Sequence, residues 1–536
     1  MKATRRTHWL IFLSLLWLST AVHASADVLF TLNGLEYSYI IPSRYSIFHN
    51  DPIDSTVVMV CGYETPDNFN SKQPLRIPGS VTHNGKTYQV KEIGDDALGG
   101  ILSVKEIIVE EGIEKIGGGA FSACYYLESL YLPASVKEIE TYLLFGCYNL
   151  KKVVVDPKNK YYDSRDNCNA IIDTKYNTLV AACANSTIPS SVKGIGGGAF
   201  AGFTNLEKFV IPEGIEYIWC DAFACCNNLK EIKLPESLRK INRDAFRNCN
   251  SLTSIFIPKN VKTVLSGSFS GCNNLTSIVV DKENKYYDSR LDCNGIIRTE
   301  DSTLIVACKT TRLVESILDL GSPFEGVSVH SIRFPKSVEE IHGFNLFGCR
   351  DVESLSVDPE NPKYISPEGS NAILTKDGKV LVLGCRTTII PAGVEEIGPE
   401  AFDNRCSDIV LALPEGLKKI KDSAFAYNKM TALVIIPSTV TEIEENAFGN
   451  CENLQAVQFL APIEEIAPFT FHSCKKLSVI NIPEGVKTIG SRAFQYCENL
   501  KNIHLPSTLE KIEEDAFEGC PCEESVKQFL NTRNLK

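Results

Sequence analysis

The stretch AFRNCNSLTSIFIP, Ala245 to Pro258, is one copy of a unit that builds most of this chain. A near copy, AFACCNNLKEIKLP, begins 23 residues earlier, and SFSGCNNLTSIVVD begins 23 residues later. The anchor of the unit is a small residue followed by Phe. Anchors fall at Leu98, Phe121 and Phe145, then at Phe200, Phe223, Phe246 and Phe269. They resume at Phe324 and Phe347, and again at Phe402, Phe425, Phe448, Phe471, Phe494 and Phe517. Most gaps are 23, with one of 24 and three of 55. Random sequence does not do this, and a fixed period near 20–50 residues is the mark of a solenoid.

Within the unit, Ile255 and Ile257 alternate with polar or outward residues, a period of two that predicts a short strand with both isoleucines inward. Pro258 lacks an N–H donor and ends the pairing. Val261 and Val264 lie on a second extended piece. One unit of 23 residues cannot bury its apolar side alone, so neighbours must stack around a shared core and form a parallel sheet. The fold class expected is a repeat solenoid, β-rich, with irregular return segments and an N-terminal β cap.

Each gap of 55 adds 32 residues, and the three additions resemble one another: DPKNKYYDSRDNCNAII from Asp156, DKENKYYDSRLDCNGII from Asp281, and DPENPKYISPEGSNAIL from Asp358. An NAII-like run, a polar turn and a TLVAAC-like run within each predict a hairpin. The organisation read is a signal segment at 1–26, a β cap at 27–90 and repeats at 91–520 with inserts near 156–187, 281–312 and 358–389. A C-terminal cap follows at 521–536, where Val526, Phe529 and Leu530 share helical spacing.

The repeating L-x-x-I-x-I-P-x-x-V-x-x-I-G-x-x-A-F-x-x-C pattern, from about Lys91 to Cys520, resembles the BspA-like leucine-rich repeats of the Treponema pallidum type. The resemblance implies a solenoid and a secreted or surface protein, with adhesion to host matrix proteins or other cells as the expected role.

The start of the chain reads as an export signal. Lys2, Arg5 and Arg6 precede a short apolar run from Trp9 to Val22 and small residues around Ala24 and Ala26. No cysteine follows as a lipoprotein anchor, and no later stretch is apolar enough to span a bilayer. A secreted, periplasmic or cell-surface location is expected. The net charge of −12 argues against nucleic acid and anionic lipid as partners.

The 20 cysteines admit three readings. Eight stand three residues after an anchor: Cys124, Cys226, Cys249, Cys272, Cys451, Cys474, Cys497 and Cys520. Cys147, Cys349 and Cys406 sit one residue off. Ile101, Phe203, Val327 and Asn428 fill the same position elsewhere, which a metal ligand set does not permit. A packing ladder with a weak S–H donor is therefore preferred. Asn428 fits if the position faces a carbonyl. Disulfides stay open, with Cys168/Cys183 and Cys293/Cys308 as the best pairs.

Catalytic, metal and cofactor signals are absent. The six histidines after residue 26 have no metal spacing, and GIGGGA at Gly194–Ala199 is the repeat turn met again at Lys115. Asp156, Asn159, Asp163 and Asp166 lack the glycine and final glutamate of a calcium loop and read as a solvated turn. The informative residues are those pointing outward between each inward pair. Tyr131, Val154, Val210, Phe256 and Val279 form an apolar line, the expected docking face for an extracellular protein ligand. Alternatives are glycan binding through exposed aromatics or a spacer with no ligand of its own.

Overall fold

The computed structural model describes residues 28–40, 54–64, 73–183, 185–346, 348–405, 410–429 and 431–533. The signal-like segment, Phe347 and Cys406 lie outside them. The chain forms two compact units. One runs to Leu206 and includes Asp221–Phe223; the other comprises Glu207–Cys220 and Ala224–Lys536. Each is a β-solenoid built from the repeat.

In the second unit the strand Ser254–Ile257 alternates exposed and buried residues and pairs in parallel with Ser277–Val280, Ile255 against Ile278 and Phe256 against Val279. The offset equals the repeat, so the same side chains meet on successive turns. The V-x-x-I piece forms a second, two-residue rung: Lys240–Ile241 pairs in parallel with Thr263–Val264. Each turn thus supplies one rung to each of two ladders, and inward Ile, Val and Leu fill the space between. The first unit repeats this, with parallel rungs from Leu75–Ile77 through Glu106–Val109 and Ser129–Leu132 to Lys152–Val155. Its N-terminal strands, Phe30–Leu32, Leu35–Tyr39 and Val57–Tyr63, pair antiparallel.

The anchor phenylalanines stack face to face along the core. Phe402, Phe425, Phe448, Phe471, Phe494 and Phe517 form one column with centroids 5.0 to 5.8 Å apart. Such pairs add about 0.5–1.5 kcal/mol each beyond area burial. The anchor expected at Phe145 is instead Leu144, which is buried where Phe145 is only half-buried. In LLFGC two apolar residues compete, and the stacking register selects the first. Leu346 is likewise buried.

The register shift brings Cys147 into the ladder. The Cys147 thiol donates to the Phe121 carbonyl at 3.1 Å, as Cys124 does to Leu98 at 3.1 Å. In the second unit Cys272 donates to Phe246, Cys349 to Phe324, Cys451 to Phe425, Cys474 to Phe448, Cys497 to Phe471 and Cys520 to Phe494, all between 2.8 and 3.3 Å. Each bond reaches the anchor carbonyl of the preceding turn. Asn428 does the same through Nδ2, 3.0 Å from the Phe402 carbonyl. Cys226 and Cys249 are fully buried at the same position. Burial pushes the Cys147 and Cys249 thiols well above the ordinary range, so they are held protonated. Among the described residues every cysteine is a free thiol, Cys168, Cys183, Cys293 and Cys308 included.

In the turn anchored by Phe402 the ladder position belongs to Arg405. Its buried guanidinium donates to the carbonyls of Leu346, Gly343, Gly384, Glu400 and Ala401 at 2.7 to 3.3 Å. Asp403 beside it is also buried, and its Oδ1 has no hydrogen-bond partner among the described residues. Burial pushes the Asp403 carboxyl up to about 6, with the Arg405 charge partly opposing the shift.

The inserts close both ladders with side chains. In the second insert Asn294 Oδ1 accepts from Ile278 N at 2.7 Å and Ser289 Oγ from Val280 N at 3.2 Å, while the Tyr287 hydroxyl accepts from Val264 N. In the first, Asn169, Ser164 and Tyr162 take the same roles toward Val153, Val155 and Ile139. Strand edges that would otherwise recruit another strand are thereby occupied. The following hairpin, Ile296–Arg298 with Thr303–Val306, returns to a parallel rung with Asp319–Leu320. At the C-terminus, helix Glu523–Arg533 buries Val526 and packs Phe529 and Leu530 on the last turns.

Candidate functional site

The outward line divides between the two units. In the first, Val154 lies beside Tyr131 on paired strands, and both are half-buried. The Tyr131 hydroxyl donates to Asp156 Oδ2 at 2.7 Å, a bond that pushes its pKa up to about 12 and ties the ring down. In the second unit the residues stand free of such ties. Val210 is 67% exposed, and Phe256 and Val279 are each 47% exposed. Val210 pairs with Lys233 and Phe256 with Val279 at one register position. The result is a column of three apolar side chains with one exposed lysine among them. Flanking ion pairs, Lys208–Glu231 and Lys230–Glu207 at 2.9 and 3.0 Å, neutralise the nearby charges.

Beyond Val279 the outward position turns polar. Arg333 pairs with Asp358 at 3.1 Å, Ser356, Gln458, Asn481 and His504 continue the line, and only the small Ala412 and the half-buried Ile435 interrupt it. The apolar stretch is therefore local to the first turns of the second unit.

The acidic turn at Asp156 is occupied by its own backbone. Asn159 is buried; its Nδ2 donates to the Pro133 and Val136 carbonyls and its Oδ1 accepts from Tyr161 N and Tyr162 N. Asp163 holds Arg165 at 2.8 Å. Asn284 and Asn361 repeat the Asn159 arrangement. These asparagines staple each insert to the preceding turn. Among the described residues no group of three or more His, Cys, Asp or Glu is placed to hold a metal ion.

With two rungs per turn, stacked anchors and a thiol ladder established, the repeat can be compared with known ones. A family model described as BspA type leucine rich repeat region (6 copies) matches residues 85–178, 171–291 and 395–524. The chain belongs to the BspA-type leucine-rich repeat family. No curated protein matches it. Solved structures similar to this leucine-rich repeat chain include a leucine rich cell surface protein from Faecalibacterium prausnitzii A2-165, at 21% identity over 92% of each chain with a TM-score of 0.28. A leucine-rich repeat protein from Bacteroides ovatus is 23% identical over 92% of each chain, TM-score 0.29. One from Eubacterium ventriosum is 15% identical over 91% of this chain and 94% of its own, TM-score 0.33. These scores are low, and the family assignment rests on the repeat itself.

One pair of surface residues escaped the sequence reading. Tyr217 and Trp219 flank the buried Ile218 on the second ladder and both point outward. The alternation Y-I-W carries that signal, on the second ladder rather than on the I-x-I strands.

Proposed function

We propose that this chain is an exported or cell-surface binding protein, not an enzyme, that docks a protein ligand on the face carrying Val210, Phe256 and Val279. The ligand class is a host matrix protein or a protein of a neighbouring cell. The observation that carries the reading is the exposure of these three side chains at one register position, where strands lie about 4.8 Å apart. An exposed apolar group on regular strands marks a contact site. Ladder residues are already ordered, so binding loses little conformational freedom. Lys233 within the column favours a partner that offers a carboxylate there. Tyr131 and Val154 belong to the first unit and are half-buried, so they are not assigned to this face. Export rests on the basic and apolar residues of the first 26 positions. Among the described residues no helix is long and apolar enough to cross a membrane.

Surface plasmon resonance against immobilised matrix proteins tests the reading. The chain should bind at least one, and the triple variant Val210→Asp, Phe256→Asp, Val279→Asp should lose that binding by about a hundredfold or more, as loss of a central apolar cluster implies. Equal binding by the triple variant would remove this face from the account.

A further inference from the structure

Tyr217 and Trp219 are exposed by 37% and 43%, with ring centroids 6.4 Å apart and planes inclined by 29°. They sit on the rung Tyr217–Ile218, where Ile218 faces the core and its neighbours face solvent. The next rung places Lys240 directly beside Tyr217, and its ammonium lies 5.8 Å from the centre of the Trp219 ring. Lys240 has no ion-pair partner among the described residues, whereas neighbouring Arg239 is neutralised by Glu216 at 3.1 Å. One rung further on, Thr263 pairs with Lys240 and Leu265 is partly exposed.

We propose that Tyr217, Trp219 and Lys240 form a binding platform for an anionic oligosaccharide, a pyranose chain bearing carboxylate or sulfate groups. Two partly exposed aromatic rings inclined by only 29° offer apolar ring surface to solvent. A pyranose ring matches it, because its face is C–H and its edge carries hydroxyls. The uncompensated lysine, on a chain of net charge −12, selects a ligand with its own negative charge next to the ring. Nucleic acid also stacks on aromatics beside cations, but it needs a cationic groove that tracks its backbone, and one lysine beside two rings does not supply it. The platform lies on the second ladder and is independent of the Val210, Phe256 and Val279 face.

Trp219 reports on its own site. The other two tryptophans are Trp9 and Trp17, so the full chain carrying Trp9→Phe and Trp17→Phe fluoresces from Trp219 alone. Titration with a chondroitin sulfate hexasaccharide and with a hexagalacturonate should shift or quench that emission and saturate. A response to the chondroitin sulfate but not to the hexagalacturonate, which carries carboxylates alone, assigns the sulfate as the recognised anion. Lys240→Gln should weaken binding by roughly tenfold, the worth of one charge-assisted contact. Tyr217→Ala should abolish it, while matrix-protein binding in the chain stays unchanged. Cellohexaose binding as tightly as the anionic sugars, with Lys240→Gln neutral, would overturn the charge selection. Silence toward all three sugars, or tighter binding of a single-stranded oligonucleotide, would overturn the platform.

Discussion

The thiol of Cys474 donates to the backbone carbonyl of Phe448, 3.3 Å away in the preceding turn. The same bond recurs along the stack, so the cysteines tie one turn to the next without covalent chemistry. Cys474→Ala removes the donor, leaves a buried carbonyl unpaired and opens a small cavity, a combined cost of about 2–3 kcal/mol. Cys474→Ser keeps a donor and should cost less than Cys474→Ala. Urea unfolding curves of the three proteins check the order; equal losses would mean that the carbonyl does not need its partner.

Arg405 replaces a thiol with a guanidinium bonded to five carbonyls. Arg405→Met keeps the stem but strips every donor and leaves Asp403 without its neighbouring cation. Breaking such a buried charged network costs about 3–5 kcal/mol. Thermal unfolding should show an early transition in the turns around Phe402; an unchanged curve would contradict the assigned network.

Asp403 gives a pH dependence with a defined sign. Its carboxyl titrates near 6 in the folded chain against an ordinary 3.8, so the folded state holds the proton more tightly. Stability contributed by the protonated form is complete below about 3.8 and is lost as pH rises through 6. Arg405, Glu400 and Arg350 are the charges acting on it. Asp403→Asn should therefore raise the unfolding free energy at pH 7.5 by up to about 3 kcal/mol. The gain should shrink toward pH 4; a gain independent of pH would contradict the burial of the charge.

Asn284 donates to two carbonyls and accepts from two backbone N–H groups. Asn284→Asp is close in shape but cannot donate at neutral pH, so it should destabilise at least as much as Asn284→Ala, about 2–4 kcal/mol. Limited proteolysis should open the segment 281–312 first. Resistance equal to the parent chain would show that the insert is held elsewhere.

The ladder architecture was readable because a strand period of two and a turn period of 23 reinforce each other, as at Ile255 and Ile257. Registers failed where neighbouring letters compete. LLFGC offers Leu144 and Phe145 to one core position, and only stacking on the adjacent turns selects leucine. Cys406 drew attention away from Arg405, since a charged residue in a core position contradicts the apolar pattern until its carbonyl partners are seen. Asn159, Asn284 and Asn361 recur visibly in the inserts, but their stapling role depends on carbonyls more than 20 residues away. Outward residues could be named from alternation, while their actual exposure, high at Val210 and low at Tyr131, depends on neighbours such as Asp156.

The ladder cysteines, from Cys124 to Cys520, are free thiols aimed at carbonyls rather than at one another, and thiol titration of the denatured, unreduced chain tests that most directly. Nearly all thiols should react, since S–H groups aimed at carbonyls are not paired with one another. Fewer than about four reactive thiols would show a disulfide framework of the kind small exported domains use, and would contradict the ladder.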